Sequence, residues 1–86
     1  MTTLTWNRIR PGRWLLKSAD GRIWAAVTPY RSLHACKGQH RATIMGPTPL
    51  WRGKRHWTTG IGVAAAKRNA IKSLECQTFE PFSVAP

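Results

Sequence analysis

The chain has 86 residues, 42% of them hydrophobic, and five tryptophans. This length suffices for one hydrophobic core and excludes a second domain, and the apolar content excludes a disordered chain. Fourteen Lys and Arg against three Asp and Glu give a net charge of +11. Such an excess of positive charge predicts a polyanionic partner, of which nucleic acid is the commonest.

The composition argues against several classes of protein. No apolar run reaches the roughly 20 residues of a membrane-spanning helix, and the first residues lack the apolar segment of a secretory signal. Cys36 and Cys76 form no C-x-x-C pair, so we expect reduced thiols, a cytoplasmic location and no membrane association. The three acidic residues are scattered, which argues against paired-carboxylate or two-metal hydrolysis and favours a protein that is not an enzyme.

The first half of the chain predicts strands. Residues 1–12 lack a sustained period and end at Pro11-Gly12, so we expect a basic N-terminal arm. Asp20-Gly21 is typical of a two-residue hairpin turn, here between a strand over 13–19 and a strand over 22–28. A connecting loop over 30–39 then leads to a third strand over 40–45.

The second half predicts one helix. Residues 50–59 are expected to form an extended loop or a second hairpin that turns near Gly53-Lys54. Three alanines and other good helix formers predict a helix over Val63–Cys76, with Lys67 inside its apolar stripe. Residues 78–86 are expected to be an extended tail. The sequence thus predicts an α+β domain over 13–77, with a three- to four-stranded antiparallel sheet and one C-terminal helix packed on one face.

The turn also predicts the two faces of the first hairpin. With Asp20-Gly21 as the loop, Leu16 opposes Ala25 and Lys17 opposes Trp24. A shift of one residue would exchange the faces, so this prediction depends on the turn. The expected core face carries Trp14, Leu16, Ile23, Ala25 and Val27, and the expected outer face carries Arg13, Lys17, Arg22, Trp24 and Thr28.

Bases and aromatics alternate along the chain, as in Arg13-Trp14 and Lys54-Arg55-His56-Trp57. Arginine pairs with phosphate oxygens, and an exposed indole stacks on bases. We expect Trp14 in the core and Trp24 and Trp57 exposed. The expected nucleic-acid contacts come from the sheet, the loop before residue 60 and the helix: Arg13, Lys17, Arg22, Trp24, Arg41, Arg52, Lys54, Arg55, Trp57, Lys67 and Arg68.

Two further motifs have simple structural explanations. His34, Cys36 and His40, with His56 or Cys76 as a fourth ligand, could bind zinc, but their spacing matches no standard zinc pattern. We therefore expect no metal and no cofactor. Gly60-x-Gly62 before the helix either presents backbone amides to a phosphate or gives a flexible entry to the helix.

The segment from Gly60 to Leu74 resembles the last strand and helix of double-stranded-RNA-binding domains, in which Gly-x-Gly leads into a helix rich in Lys and Ala. It has Val63-Ala64-Ala65 where that family has a lysine pair. A three-stranded sheet followed by one helix is also similar in architecture to small domains of plant transcription factors and phage-type integrase arms. That resemblance implies a sheet laid in the major groove of DNA.

Nucleic-acid binding has two alternatives, and the sequence does not decide between DNA and RNA. One is an interaction module or inhibitor of the kind that phages and mobile elements encode, which would dock on an acidic host protein through Trp and Arg. The other is a metal-independent ribonuclease toxin, with His40 or His56 as general acid or base and Tyr30 beside the phosphate.

Overall fold

A computed structural model describes residues 1–46, 56–77 and 80–86. The chain has the predicted α+β class, with one helix and six strands in the described ranges. The elements in chain order are β1 (Thr2–Arg10), β2 (Arg13–Ser18), β3 (Ile23–Pro29), β4 (Gln39–Ile44), β5 (His56–Ile61), α1 (Val63–Gln77) and β6 (Phe82–Val84).

The sheet is larger than predicted and is mixed rather than antiparallel. Its strand order is β5-β4-β3-β2-β1-β6, and β6 runs parallel to β1 while the other neighbours are antiparallel. Three strands are additional to the three named from the sequence: β1 comes from the expected arm, β6 from the expected tail, and β5 overlaps the segment expected to be an extended loop or a second hairpin. Residues 2–10 are rich in threonine and apolar side chains that suit a pleated surface, and Leu4 is fully buried. The N-terminal segment is therefore part of the sheet.

The predicted hairpin at Asp20-Gly21 is confirmed, but its loop has three residues and not two. The Ser18 N–H donates to the Arg22 carbonyl and the Gly21 N–H to the Ser18 carbonyl, so Ala19, Asp20 and Gly21 form the loop. Gly21 has a φ of 85°, a conformation that glycine adopts without steric cost. The Asp20 carboxylate accepts hydrogen bonds from the Ser18 hydroxyl and from the Arg22 backbone N–H. These bonds favour the ionised carboxylate and lower the pKa of Asp20.

A β-bulge just after this turn corrects the predicted register. Leu16 pairs with Ala25 as expected, but Lys17 pairs with Ile23, which leaves Trp24 as the additional residue. A bulge turns the following side chains of its strand. Trp24 is consequently fully buried in the core, whereas Ile23 shares the side of Lys17 and is half-buried. The expected exposure of Trp24 is wrong.

The helix is confirmed and packs on one face of the sheet. It spans Val63–Gln77 and buries Ala66, Ala70 and Leu74. A Cβ on Gly60 would lie 2.7 Å from the Ala66 nitrogen, so the backbones of β5 and α1 approach more closely than any larger residue allows. The first glycine of Gly60-x-Gly62 therefore has a packing role.

The core lies between α1 and the strands, and its members are aliphatic except at the β6 edge. There the ring of Trp24 packs against Phe82, with centroids 5.6 Å apart. Trp14, expected in the core, is half-buried against it. No helix within the described residues is long and apolar enough to cross a membrane.

Candidate nucleic-acid interface

The sheet has one face under the helix and one face open to solvent. Gly60 lies against α1, and successive side chains of a strand point to opposite faces. Trp57 and Ile61, an odd number of residues from Gly60, therefore point away from the helix, and they are 50% and 60% exposed. We call this side of the sheet the outer face.

Four cationic residues of β1, β2 and β4 reach the outer face. Arg13 and Lys17 alternate with the core residues of β2, and Arg41 alternates with buried Ala42 in β4. Arg10 of β1 pairs directly with Arg13 of β2. Like charges placed opposite each other on a sheet repel, so this pair gains from a bound anion.

A pair of stacked aromatic rings lies on the same face and contacts one of these cations, Arg41. The rings of Tyr30 and Trp57 have centroids 5.9 Å apart and an interplanar angle of 28°. The guanidinium carbon of Arg41 lies 5.8 Å from the Trp57 ring centre, within the range of a cation–π contact. Arg41 thus joins the charged and aromatic parts of the surface. We call Arg10, Arg13, Lys17, Tyr30, Arg41 and Trp57 the outer patch.

The three acidic residues of the sequence all lie elsewhere. Asp20 is in the β2–β3 turn, and Glu75 is an exposed residue of the helix. Glu80 pairs with Arg22 at 3.1 Å beside β6, the strand farthest from β5 in the sheet. No carboxylate therefore neutralises the outer patch.

Two of the predicted contact residues of the first hairpin are not on the outer patch. Trp24 is fully buried, so its ring cannot stack on a base. Arg22 lies over the Trp24 ring at 5.0 Å and binds Glu80 through its guanidinium group. Both residues stabilise the β6 side of the core, because the bulge turns them away from Lys17.

The predicted helix contacts also lie apart from the outer patch. Lys67 and Arg68 belong to α1, which covers the opposite face of the sheet. The Lys67 ammonium nitrogen lies 3.3 Å from the centre of the Trp14 ring and 5.3 Å from that of Trp6. Burial lowers the pKa of this ammonium because it removes water from the charge.

The prediction thus has three outcomes. The structure places Arg13, Lys17, Arg41 and Trp57 on one face of the sheet. It places four others away from that face: Arg22, Trp24, Lys67 and Arg68. The remaining predicted contacts and the expected turn at Gly53-Lys54 lie outside the described residues: Arg52, Lys54 and Arg55. Sequence reasoning missed Arg10 and Tyr30 as members of the patch. Their signal was present in the basic end of the expected arm and in the aromatic residue that follows Pro29.

His40 and His56 lie apart in the sheet. His40 pairs with Gly60, and His56 pairs with Ile44, so His40 and His56 are separated by four residues of strand, about 13 Å. Nδ1 of His40 donates to the Gly38 carbonyl over 2.7 Å. Within the parts of the chain that the structure describes, no three His, Cys, Asp or Glu side chains are grouped to hold a metal ion.

Comparisons of the chain with protein-family models, with curated proteins and with solved structures found no match. The resemblance of residues 60–74 to a double-stranded-RNA-binding domain therefore remains an analogy. Residues 2–10 form strand β1. A functional proposal for this protein therefore rests on the chemistry of the outer patch.

Proposed function

We propose that this protein is a non-enzymatic nucleic-acid-binding protein and that the outer patch is its binding surface. The observation that supports the proposal is an open sheet face on which Arg10 and Arg13 are paired and Trp57 is half exposed. Two adjacent guanidinium groups suit phosphate oxygens, which accept bidentate hydrogen bonds. An exposed indole on the same face of the sheet suits the bases.

The proposal predicts a strong dependence of affinity on salt. If Arg10, Arg13, Lys17 and Arg41 each neutralise one phosphate, the logarithm of the association constant falls with the logarithm of salt concentration. The expected slope is about −3.6 on duplex DNA and about −2.8 on a single strand. Fluorescence anisotropy with labelled duplex DNA, duplex RNA and single strands at several salt concentrations measures it. Binding that does not respond to salt would contradict the proposal.

A charge reversal at Arg13 separates binding from folding. Arg13→Glu places a carboxylate opposite Arg10, which replaces repulsion by attraction, so the fold keeps or gains stability by about 0.2 to 1 kcal/mol. Nucleic-acid affinity is nevertheless expected to fall at least tenfold, and the magnitude of the salt slope by about 1.

Lys72→Glu is the matched control, because it makes the same change of charge at an exposed position of the helix. It is expected to weaken binding less than threefold at physiological salt. Equal losses from Arg13→Glu and Lys72→Glu would show that net charge, and not the outer patch, determines binding.

We place the protein in the cytoplasm. Cys36 and Cys76 are both free and exposed, and exposed free thiols are typical of a reducing compartment. Alkylation of both thiols in freshly lysed cells, detected as a mass increase, tests this proposal. A protein isolated with its thiols oxidised would contradict it.

A further inference from the structure

We propose that the outer patch binds single-stranded nucleic acid and that Trp57, supported by Tyr30, is the ring on which a base stacks. This inference rests on the proposed function and specifies its substrate class. It follows from how the two rings and Arg41 are arranged on the sheet.

The Trp57 ring contacts both Tyr30 and Arg41 and still exposes surface to solvent. Tyr30 stacks against it at 5.9 Å, yet Trp57 remains 50% exposed. Exposure of a large aromatic ring to water is unfavourable, and burial under a base would remove that cost. The Tyr30 contact restricts the indole before any ligand binds, so less conformational entropy is lost on stacking.

Arg41 supplies the phosphate contact at the same place. Its guanidinium lies 5.8 Å from the Trp57 ring centre, and its neighbours across the sheet are Thr28 and Thr59. Because these threonine side chains are short, the Trp57 ring and the Arg41 guanidinium extend farther from the sheet than they do. A nucleotide whose base covers Trp57 therefore has its phosphate within reach of a cation.

The remaining cations continue the path across the sheet. Trp14 pairs with Val27, so the preceding residue, Arg13, is level with Thr28, the partner of Arg41. Two strand spacings separate Arg13 from Arg41, about 10 Å. Lys17 lies four residues farther along β2, about 13 Å from Arg13. A flexible strand can follow this path with its phosphates while one base turns towards Trp57.

Duplex nucleic acid does not offer Trp57 an unpaired base to stack on. Its bases are stacked on each other and present only their edges in the grooves, so the exposed indole would gain no stacking partner. Unpaired bases present their faces, and aromatic side chains stack on them with little dependence on base identity. The stacked ring pair therefore favours single strands over duplexes.

The test compares four fluorescent probes by anisotropy, each about 12 nucleotides long, within the length that one small domain covers. They are oligodeoxyuridine, oligouridine, an oligomer of abasic sites and a blunt duplex. The abasic oligomer keeps the phosphates and removes every base. We expect wild-type protein to bind either uridine strand about 5- to 150-fold more tightly than the abasic strand, the contribution of one stacked base.

Substitutions then assign this difference to the ring. Trp57→Ala is expected to weaken binding of the uridine strands by the same factor and to leave binding of the abasic strand and the duplex unchanged. Trp57→Phe keeps a ring and should retain most of the affinity. Ile61→Ala is the matched control, since Ile61 lies on the same strand and face, is 60% exposed and has no π-system. It should bind as wild type does.

The outcomes separate the two proposals. If the probes bind but the abasic strand or the duplex binds as tightly as the uridine strands, base stacking is overturned and nucleic-acid binding stands. If no probe binds, both proposals are overturned. A preference for oligouridine or for oligodeoxyuridine identifies RNA or DNA as the source of the strand and supports the inference in either case, since the two differ at the 2′ position.

Discussion

The ammonium nitrogen of Lys67 lies 3.3 Å from the centre of the Trp14 ring, at the junction of α1 with β2. Lys67 occupies the stripe of the helix that faces the sheet, where the hydrophobic pattern calls for an apolar side chain. Trp6 offers it a second ring at 5.3 Å. Indole faces attract an ammonium group, so these rings explain how a cation is accommodated in the packed face of the helix.

We predict that Lys67 makes the free energy of unfolding increase with pH in the alkaline range. Burial lowers the pKa of Lys67 from its ordinary value of 10.5, so below that pH the unfolded chain binds more protons than the folded one. The contribution of Lys67 to the free energy of unfolding therefore increases as the pH rises towards 10.5. Urea unfolding of wild type and Lys67→Met, from neutral pH upwards, should show wild type gaining relative to the variant. A relative loss would mean that ring attraction for the charged form outweighs desolvation.

Trp24 and Trp57 should differ sharply in their contribution to stability. Trp24 is fully buried, and its indole nitrogen is buried without a hydrogen-bond partner among the described residues. Trp24→Ala should cost about 3 to 5 kcal/mol, because it leaves a cavity in the core. Trp57→Ala should cost less than about 1 kcal/mol, as its ring is half exposed. Chemical unfolding of the two variants checks this, and equal losses would contradict the β-bulge.

Gly60→Ala should separate the helix from the sheet. The added Cβ would lie 2.7 Å from the Ala66 nitrogen and 2.8 Å from the Ala65 carbonyl carbon. Both contacts are with backbone, so α1 itself must move, at a cost of about 3 kcal/mol. Gly38→Ala is the control, because its Cβ meets nothing within 4 Å and it costs about 1 kcal/mol for the left-handed backbone alone. A similar melting temperature for both variants would contradict the close approach.

The C-terminal strand should be stabilised by packing more than by charge. The Phe82 ring lies 5.6 Å from Trp24, whereas the Arg22–Glu80 ion pair is solvent-exposed. We expect Phe82→Ala to cost about 2 kcal/mol or more. Glu80→Gln, which removes only the charge, should cost less than about 1 kcal/mol. Urea unfolding compares the two variants, and a larger loss from Glu80→Gln would reverse this ranking.

Local patterns were sufficient for the central hairpin and the helix. Asp20-Gly21 indicates the position of the turn, where Gly21 has a positive φ. The alanines of α1 favour both helix and close packing. The same patterns placed Arg13, Lys17 and Arg41 on one face, since side chains alternate along each strand. The exposure of Trp57 was also predicted correctly.

Local patterns did not predict strands β1 and β6. Residues 2–10 and 82–84 lie at opposite ends of the chain, and β1 pairs in parallel with β6. Neither segment carries a turn signal that links it to the other. Parallel pairing between distant segments depends on the rest of the fold bringing them together, which is why β6 does not follow from local patterns. β1 pairs antiparallel with β2 across Pro11-Gly12, a turn that local patterns predict to be the end of an arm.

The sequence by itself determined the fold class, the charge of the molecule and the polar and apolar sides of β2 and β4, because these follow from composition and from periodicities of two and 3.6 residues. Only the tertiary structure decided which tryptophan is buried and which cations are neighbours. One additional residue in β3 turned Trp24 into the core, and pairing of β1 with β2 placed Arg10 beside Arg13. Both depend on strand register, which packing against the rest of the molecule selects.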